Sequence, residues 1–223
     1  MKRDRWIILY LAILAVHLAG IFLNDELIQV LTKPLLVILL VLYFLLRTKV
    51  WKGQLKNWVL AALFFSWAGD ILLMFQEKSE LFFLSGLAVF LAAQLFYIVF
   101  FHNIRIRERI KGYWIFLPVV MIYYIALITF LSPFPRKMGL PVRVYGIVIS
   151  IMFLLALHML FIKNKIAGRL MMAGALLFII SDSVLAINRF YNQFEPAGLI
   201  VMLTYGLAQL LITDGAINYI RKE

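Results

Sequence analysis

Two carboxylates stand where a membrane helix ordinarily excludes them. Asp70 lies in Ser66-Trp67-Ala68-Gly69-Asp70-Ile71-Leu72-Leu73 and Asp182 in Ile180-Ser181-Asp182-Ser183-Val184-Leu185, each inside an apolar run of membrane length. Both stretches read small residue, Asp, two residues, Leu. An aspartate in hydrocarbon costs about 3 kcal/mol even on insertion scales, so it marks a functional site by default. Two carboxyls converging on one hollow can divide acid and base roles, one donating a proton while the other activates water.

Polar neighbours at compatible depths extend the constellation. With a rise of about 1.5 Å per residue, Asp70 and Asp182 each lie roughly 8 Å inside the outer end of their runs, and Lys33 about 9 Å inside its own. Lys33 reads either as the counter-ion of one Asp or as a cation snorkelling to headgroups. Pro34 beside it removes a backbone donor, which suits a site better than a smooth lipid-facing helix. Ser66 shares the face of Asp70, while Ser181 and Ser183 flank Asp182; such hydroxyls either satisfy a buried carboxyl or pack helices closely.

Tyr145, Asn188, Arg189, Tyr205 and Gln209 complete the candidate substrate-binding set beside Lys33. The Arg189 guanidinium fork suits phosphate, and Tyr205 and Gln209, four apart, share a helix face. Gln94 and Tyr97 form a similar pair and read first as interhelical hydrogen bonds. Arg136, Lys137 and Arg143, among Pro133, Pro135, Gly139 and Pro141, form a long outer connection that either guides an anionic headgroup or caps the bundle. His17, His102 and His158 show no ligand spacing and are read as lying apart from the aspartates, so neither a zinc site nor a Ser-His-Asp triad is expected. The chain has no cysteine, which excludes disulfides and thiolate chemistry. No metal or cofactor is expected.

The elements that must position these residues are set by composition. The chain is 65% hydrophobic and only 15% charged, with mean hydropathy +0.97, far from the half-apolar balance of soluble domains. Apolar runs of about 20 residues without period-2 alternation select an all-α membrane bundle. Eight spans are expected: Trp6–Leu23, Leu27–Leu46, Asn57–Phe75, Leu81–Phe101, Tyr113–Leu131, Leu140–Ile162, Ala167–Ile187 and Ala197–Tyr219. The basic start, Lys2, Arg3 and Arg5, precedes a run longer than a signal-peptide core, so it reads as a retained first helix. No linker divides residues 1–223, which form one transmembrane domain.

Sixteen of the 22 Lys and Arg residues fall on the side of the termini, five on the other, and Lys33 within a span. Both termini are therefore expected in the cytoplasm. The same bias accounts for the net charge of +11 without nucleic acid. A shift of 112 residues superposes Asp70 on Asp182, Leu73 on Leu185, Phe82 on Phe194 and Gly86 on Gly198. An even number of spans per half makes this a parallel 4+4 repeat, roughly 1–111 and 112–223, with a site at the pseudo-twofold interface. Lys33 then corresponds to Tyr145.

From the residues alone three classes stay open: a membrane hydrolase, a proton-coupled small-molecule or lipid transporter, and a lipid-binding scaffold whose aspartates only lock helices together. The motifs add a resemblance. Thr32-Lys33-Pro34-Leu35-Leu36, Gly69-Asp70-x-x-Leu73, Ser181-Asp182-x-x-Leu185-Ala186 and Tyr205-x-x-Ala208-Gln209-x-Leu211-Ile212 together resemble the lysoplasmalogenase (YhhN-like) family, in order and over nearly the whole chain. Span four of such proteins often has a His near the position held here by Gln94. The resemblance implies a lysophospholipid substrate within the membrane, a lysoplasmalogen or related ether lysolipid. Its vinyl-ether bond would be hydrolysed to a fatty aldehyde and a glycerophospho-headgroup. Asp70 and Asp182 would serve as the acid–base pair. In a bacterium such a protein belongs in the cytoplasmic membrane.

Overall fold

The computed structural model describes residues 3–131 and 139–221. Its helices are α1 Arg3–Phe22, α2 Glu26–Arg47, α3 Gln54–Leu73, α4 Glu80–Arg107, α5 Phe116–Phe130, α6 Gly139–His158, α7 Lys165–Phe190 and α8 Ala197–Ile220. A 3-10 turn, Met159–Phe161, extends α6. Among the described residues there is no strand. The chain is an integral, multi-pass membrane protein, its outer surface carrying large apolar side chains such as Leu31, Ile122 and Ile147.

All eight helices lie close to their expected positions, and six have the length and apolarity of spans: α1, α2, α4, α6 with its turn, α7 and α8. α3 and α5 fall outside those limits. α5 has only 15 residues, about 22 Å against a hydrocarbon core of about 30 Å. It starts at Phe116 rather than Tyr113, with Pro118 in its first turn, where a missing N–H costs nothing. α3 has 20 residues, but Gln54, Lys56, Asn57, Ser66 and Asp70 dilute its apolarity.

Local chemistry sets the helix ends. Asp25 caps α2 by accepting from the Ile28 N–H at 3.1 Å, Ser79 caps α4 through Leu81, and Asn164 caps α7 through Ala167. Such caps satisfy amides that have no partner within the helix. Asn24 adopts φ 55° in the tight α1–α2 turn, a backbone region asparagine tolerates.

Successive helices pair as α1·α2, α3·α4, α5·α6 and α7·α8, and α8 also touches α1, α2 and α3. α8 is the most enclosed helix, with 67% of its apolar window buried. α5 is the most peripheral, burying only Val120. Close approach depends on small residues. A Cβ at Gly69 would meet the Phe90 ring at 2.5 Å, and one at Gly174 would meet the Ala208 carbonyl at 2.8 Å.

The two ends of the chain meet at one end of the bundle. Arg3 forks onto Asp214 of α8, Nε to Oδ1 at 3.1 Å and Nη2 to Oδ2 at 2.6 Å. Tyr43 of α2 donates to the same carboxylate at 2.7 Å.

Candidate active site

Opposite the termini the bundle opens into a cavity of about 720 Å³. The α1–α2 and α3–α4 connections and the last turn of α7 form its mouth through Asn24, Gln76 and Asn188, and both Asp70 and Asp182 reach its wall. The two carboxylates the sequence singles out therefore face one hollow.

Asp70 comes from the last turn of α3 and is buried. Its Oδ2 accepts from the Tyr205 hydroxyl of α8 at 2.7 Å, and its Oδ1 stands 4.0 Å from the Lys33 ammonium of α2. Pro34 lies inside α2 just after Lys33, so the Val30 carbonyl lacks the usual amide donor there. Val30 and Lys33 both line the cavity. Behind Tyr205, Gln209 is fully buried and does not reach the wall. Its Nε2 donates to Ser66 at 2.9 Å and its Oε1 accepts from Tyr97 at 2.6 Å, holding the floor on which Tyr205 stands.

Asp182 comes from α7 and keeps partial access to the cavity. Its Oδ2 accepts from the Tyr145 hydroxyl of α6 at 2.5 Å. Among the described residues no cation pairs with it, whereas Asp70 has Lys33. Ser181 turns away, donating to the Val201 carbonyl at 3.0 Å. Ser183 donates to the Ile179 carbonyl at 2.6 Å, so the Tyr123 hydroxyl of α5, 3.0 Å away, is the donor to Ser183. Gln94 is fully buried beneath this region, with neither amide atom hydrogen-bonded.

The remaining candidates divide. Asn188 lines the mouth, its Oδ1 accepting from the Phe194 amide at 3.1 Å. Arg189 is not in the wall: it stands 3.5 Å from Glu77 and over the Phe83 ring. Arg143 is exposed near the start of α6, while Arg136 and Lys137 lie outside the described residues. Among the described residues no three His, Asp or Glu side chains cluster closely enough to hold a metal ion.

One reading needs correction. His17, set apart from the aspartates on sequence grounds, lines the same cavity. Its Nδ1 lies 2.7 Å from Thr32 Oγ1, and that hydroxyl donates to the Ile28 carbonyl at 2.5 Å. His17 must therefore donate from Nδ1, and in the neutral ring Nε2 is left as an acceptor. The signal was available: His17 lies six residues before Leu23, the same depth of about 9 Å that placed Lys33. The buried Asp214, also not singled out, sits in Leu211-Ile212-Thr213-Asp214-Gly215 and serves the contact between the termini.

Fold and cavity together define a class: a multi-span helical membrane protein with a two-carboxylate hollow open at one end of the bundle. The chain belongs to the YhhN family, whose model matches residues 28–216. That stretch takes in Lys33, Asp70, Tyr145, Asp182, Tyr205 and Gln209. The chain is 32% identical over 187 residues to a rat protein named lysoplasmalogenase TMEM86B, covering 83% of this chain and 71% of the rat protein. It is 34% identical over 136 residues to the human protein of that name, covering 61% of this chain and 54% of the human protein. For the mouse protein of that name the identity is 30% over 167 residues, covering 74% and 66%. No solved structure matches the chain.

Proposed function

We propose that this protein hydrolyses the vinyl-ether bond of a lysoplasmalogen or related ether lysolipid, with Asp182 as the acid and Asp70 as the base. The observation that carries the reading is the unequal company of two carboxyls on one cavity: Lys33 and Tyr205 beside Asp70, and Tyr145 with no cation among the described residues beside Asp182. Lys33 balances the charge of an ionised Asp70. A protonated Asp182 receives the Tyr145 hydrogen bond on Oδ2 and presents its proton from Oδ1.

The reaction then needs only these two groups and water. Asp182 transfers its proton to the vinyl carbon remote from oxygen, leaving an oxocarbenium ion. Water adds to that ion and Asp70 takes the proton the water loses. Asp70 next protonates the glyceryl oxygen while Asp182 removes the hemiacetal proton, and the carbon–oxygen bond breaks. Aldehyde and glycerophospho-alcohol leave with both carboxyls restored. The division of roles parallels the paired carboxyls of glycosidases. Lys33, Tyr145, Asn188 and Tyr205 line the hollow that receives the headgroup and the enol ether; Gln209 steadies Tyr205, and Arg189 stands near the mouth as a phosphate guide.

The same reading takes the bundle as a parallel 4+4 repeat with cytoplasmic termini. Tyr97 and Gln209 touch, as do Glu77 and Arg189, and each pair is 112 residues apart. That is the shift relating Asp70 to Asp182, and residues related by a twofold rotation touch each other only at its axis. The end carrying both termini also carries Arg47, Lys49, Arg105, Arg107 and Lys163, which supports the orientation. The transporter reading draws no support from the rat, human and mouse relatives.

The test is mass spectrometry of purified protein incubated with lysoplasmalogen. Aldehyde release is expected from the wild type, and Asp70→Asn and Asp182→Asn should each lower turnover ~1,000-fold while remaining folded. Substantial activity in both single variants would defeat the acid–base assignment.

A further inference from the structure

Asp182 has a second hollow on its far side. This narrow slot, about 40 Å³, runs among α4, α5, α6 and α7. Phe83, Leu87, Tyr145, Asp182 and Leu185 line both it and the large cavity, so the two share a wall that carries the carboxyl. Beyond that junction the walls are Leu127, Val142, Ile149, Ala186 and Phe190. The one polar side chain added there, Tyr123, spends its hydroxyl on Ser183. Among the described residues the slot beyond that wall offers no charged side chain, whereas the large cavity offers Lys33, Gln29 and Asn188 for a headgroup.

We propose that this slot receives the alkenyl chain of the lysolipid, an assignment that rests on the hydrolase reading. The headgroup occupies the large cavity, the enol ether lies at the shared wall beside Asp182, and the chain runs between α5 and α7 toward lipid. An amphipathic substrate is thereby sorted by polarity across the carboxyl that protonates it. The slot as it stands holds little more than the ~30 Å³ share of one water molecule, so a chain enters only as a wall gives way. α5 is the wall suited to move: it buries only Val120, presents Ile122 and Ile125 outward, and is tied to α7 through Tyr123 and Ser183. Its displacement opens the slot sideways to the membrane.

Ala186→Phe narrows the slot one helical turn from Asp182, so the readout is a ratio between two substrates that share any effect on the carboxyl. Turnover of hexadecenyl relative to butenyl lysoplasmalogen should fall ~10-fold or more, as for an ill-fitting apolar pocket. A saturated-ether lysolipid bearing a diazirine near the chain end tests the wild type independently, and should label Leu127, Val142, Ile149 or their neighbours. An unchanged chain-length ratio in a folded Ala186→Phe variant would overturn the assignment. Labelling confined to residues outside α4–α7 would overturn it even where that variant does not fold. Failure of the wild type to cleave any enol ether would instead remove the hydrolase reading itself.

Discussion

Replacing Lys33 by methionine keeps the length and apolar stem of the side chain and removes only its charge. The ammonium stands 4.0 Å from Asp70 Oδ1, with 17% of the Lys33 side chain exposed and 4% of that of Asp70. At an effective dielectric constant of 20, charges at that separation attract by about 4 kcal/mol. Part of that is returned, because the substitution also lifts the cost of keeping an ammonium out of water. A net loss of about 2–4 kcal/mol for the ionised form of Asp70 corresponds to roughly 30- to 1,000-fold in aldehyde release. Lys33→Arg retains the charge and should recover part of the rate. Initial velocities on lysoplasmalogen, measured on protein checked by size-exclusion chromatography, give both numbers. Lys33→Met combined with Asp70→Asn should be no slower than Asp70→Asn alone, since Lys33 acts through that carboxylate. Full activity in Lys33→Met, or losses that add in the double variant, would refute the pairing as the source of the base.

Tyr145→Phe removes the hydrogen bond to Asp182 Oδ2; kcat should fall ~10- to 100-fold with KM little changed in steady-state assays. Asp214→Ala strands Tyr43 and frees Arg3. Because Arg3 is 44% exposed, the loss is held to about 1–2 kcal/mol, lowering Tm by roughly 2–8 °C in a thermal-shift assay while turnover of the folded protein is unaffected. Gly174→Val drives a side chain into the Ala208 carbonyl of α8 and should cost about 1–3 kcal/mol, read as lost monodisperse yield. Gly53→Ala, with nothing within 4 Å of the added carbon, should yield normally.

The helices were readable in the sequence because hydropathy alone dictates where backbone must be self-satisfied. That Asp70 and Asp182 line one cavity was readable for a related reason: equal depth confines two polar groups to one layer of the bundle. Helix rotation was not readable. Arg189 and Asn188 are adjacent and share a depth, yet Asn188 enters the cavity wall while Arg189 turns to Glu77 and Phe83. Gln209 likewise sits one turn below Tyr205 on the same face, which puts it behind that tyrosine rather than beside the cavity. His17 is within reach of the depth argument, but it is alone in its span and shows no ligand spacing. The division of α3 and α5 from the six long spans depended on a few polar residues and one late start, which periodicity does not resolve.

Asp70 and Asp182 share a motif, a depth and a cavity, so a difference in surroundings is what can fix which carboxyl is the acid and which the base. What differs is the neighbour brought by the preceding helices, an ammonium from α2 and a phenol from α6. On the proposed repeat, Lys33 and Tyr145 are the same position in the two halves, so divergence at one site is enough to set the roles. Counting charges explains why one lysine suits the reaction. With Asp182 protonated, Asp70 ionised and Lys33 charged, these three inner groups sum to zero, Glu26, Glu77 and Lys78 lying exposed at the mouth. After proton transfer the inner set holds two carboxylates, the ammonium and the oxocarbenium ion, and is neutral again. Once water has given its proton to Asp70, ionised Asp182 and Lys33 still cancel. A net charge buried in a lipid-surrounded hollow is heavily penalised, and with Lys33 as the cation of this inner set no step of the proposed cycle creates one among them.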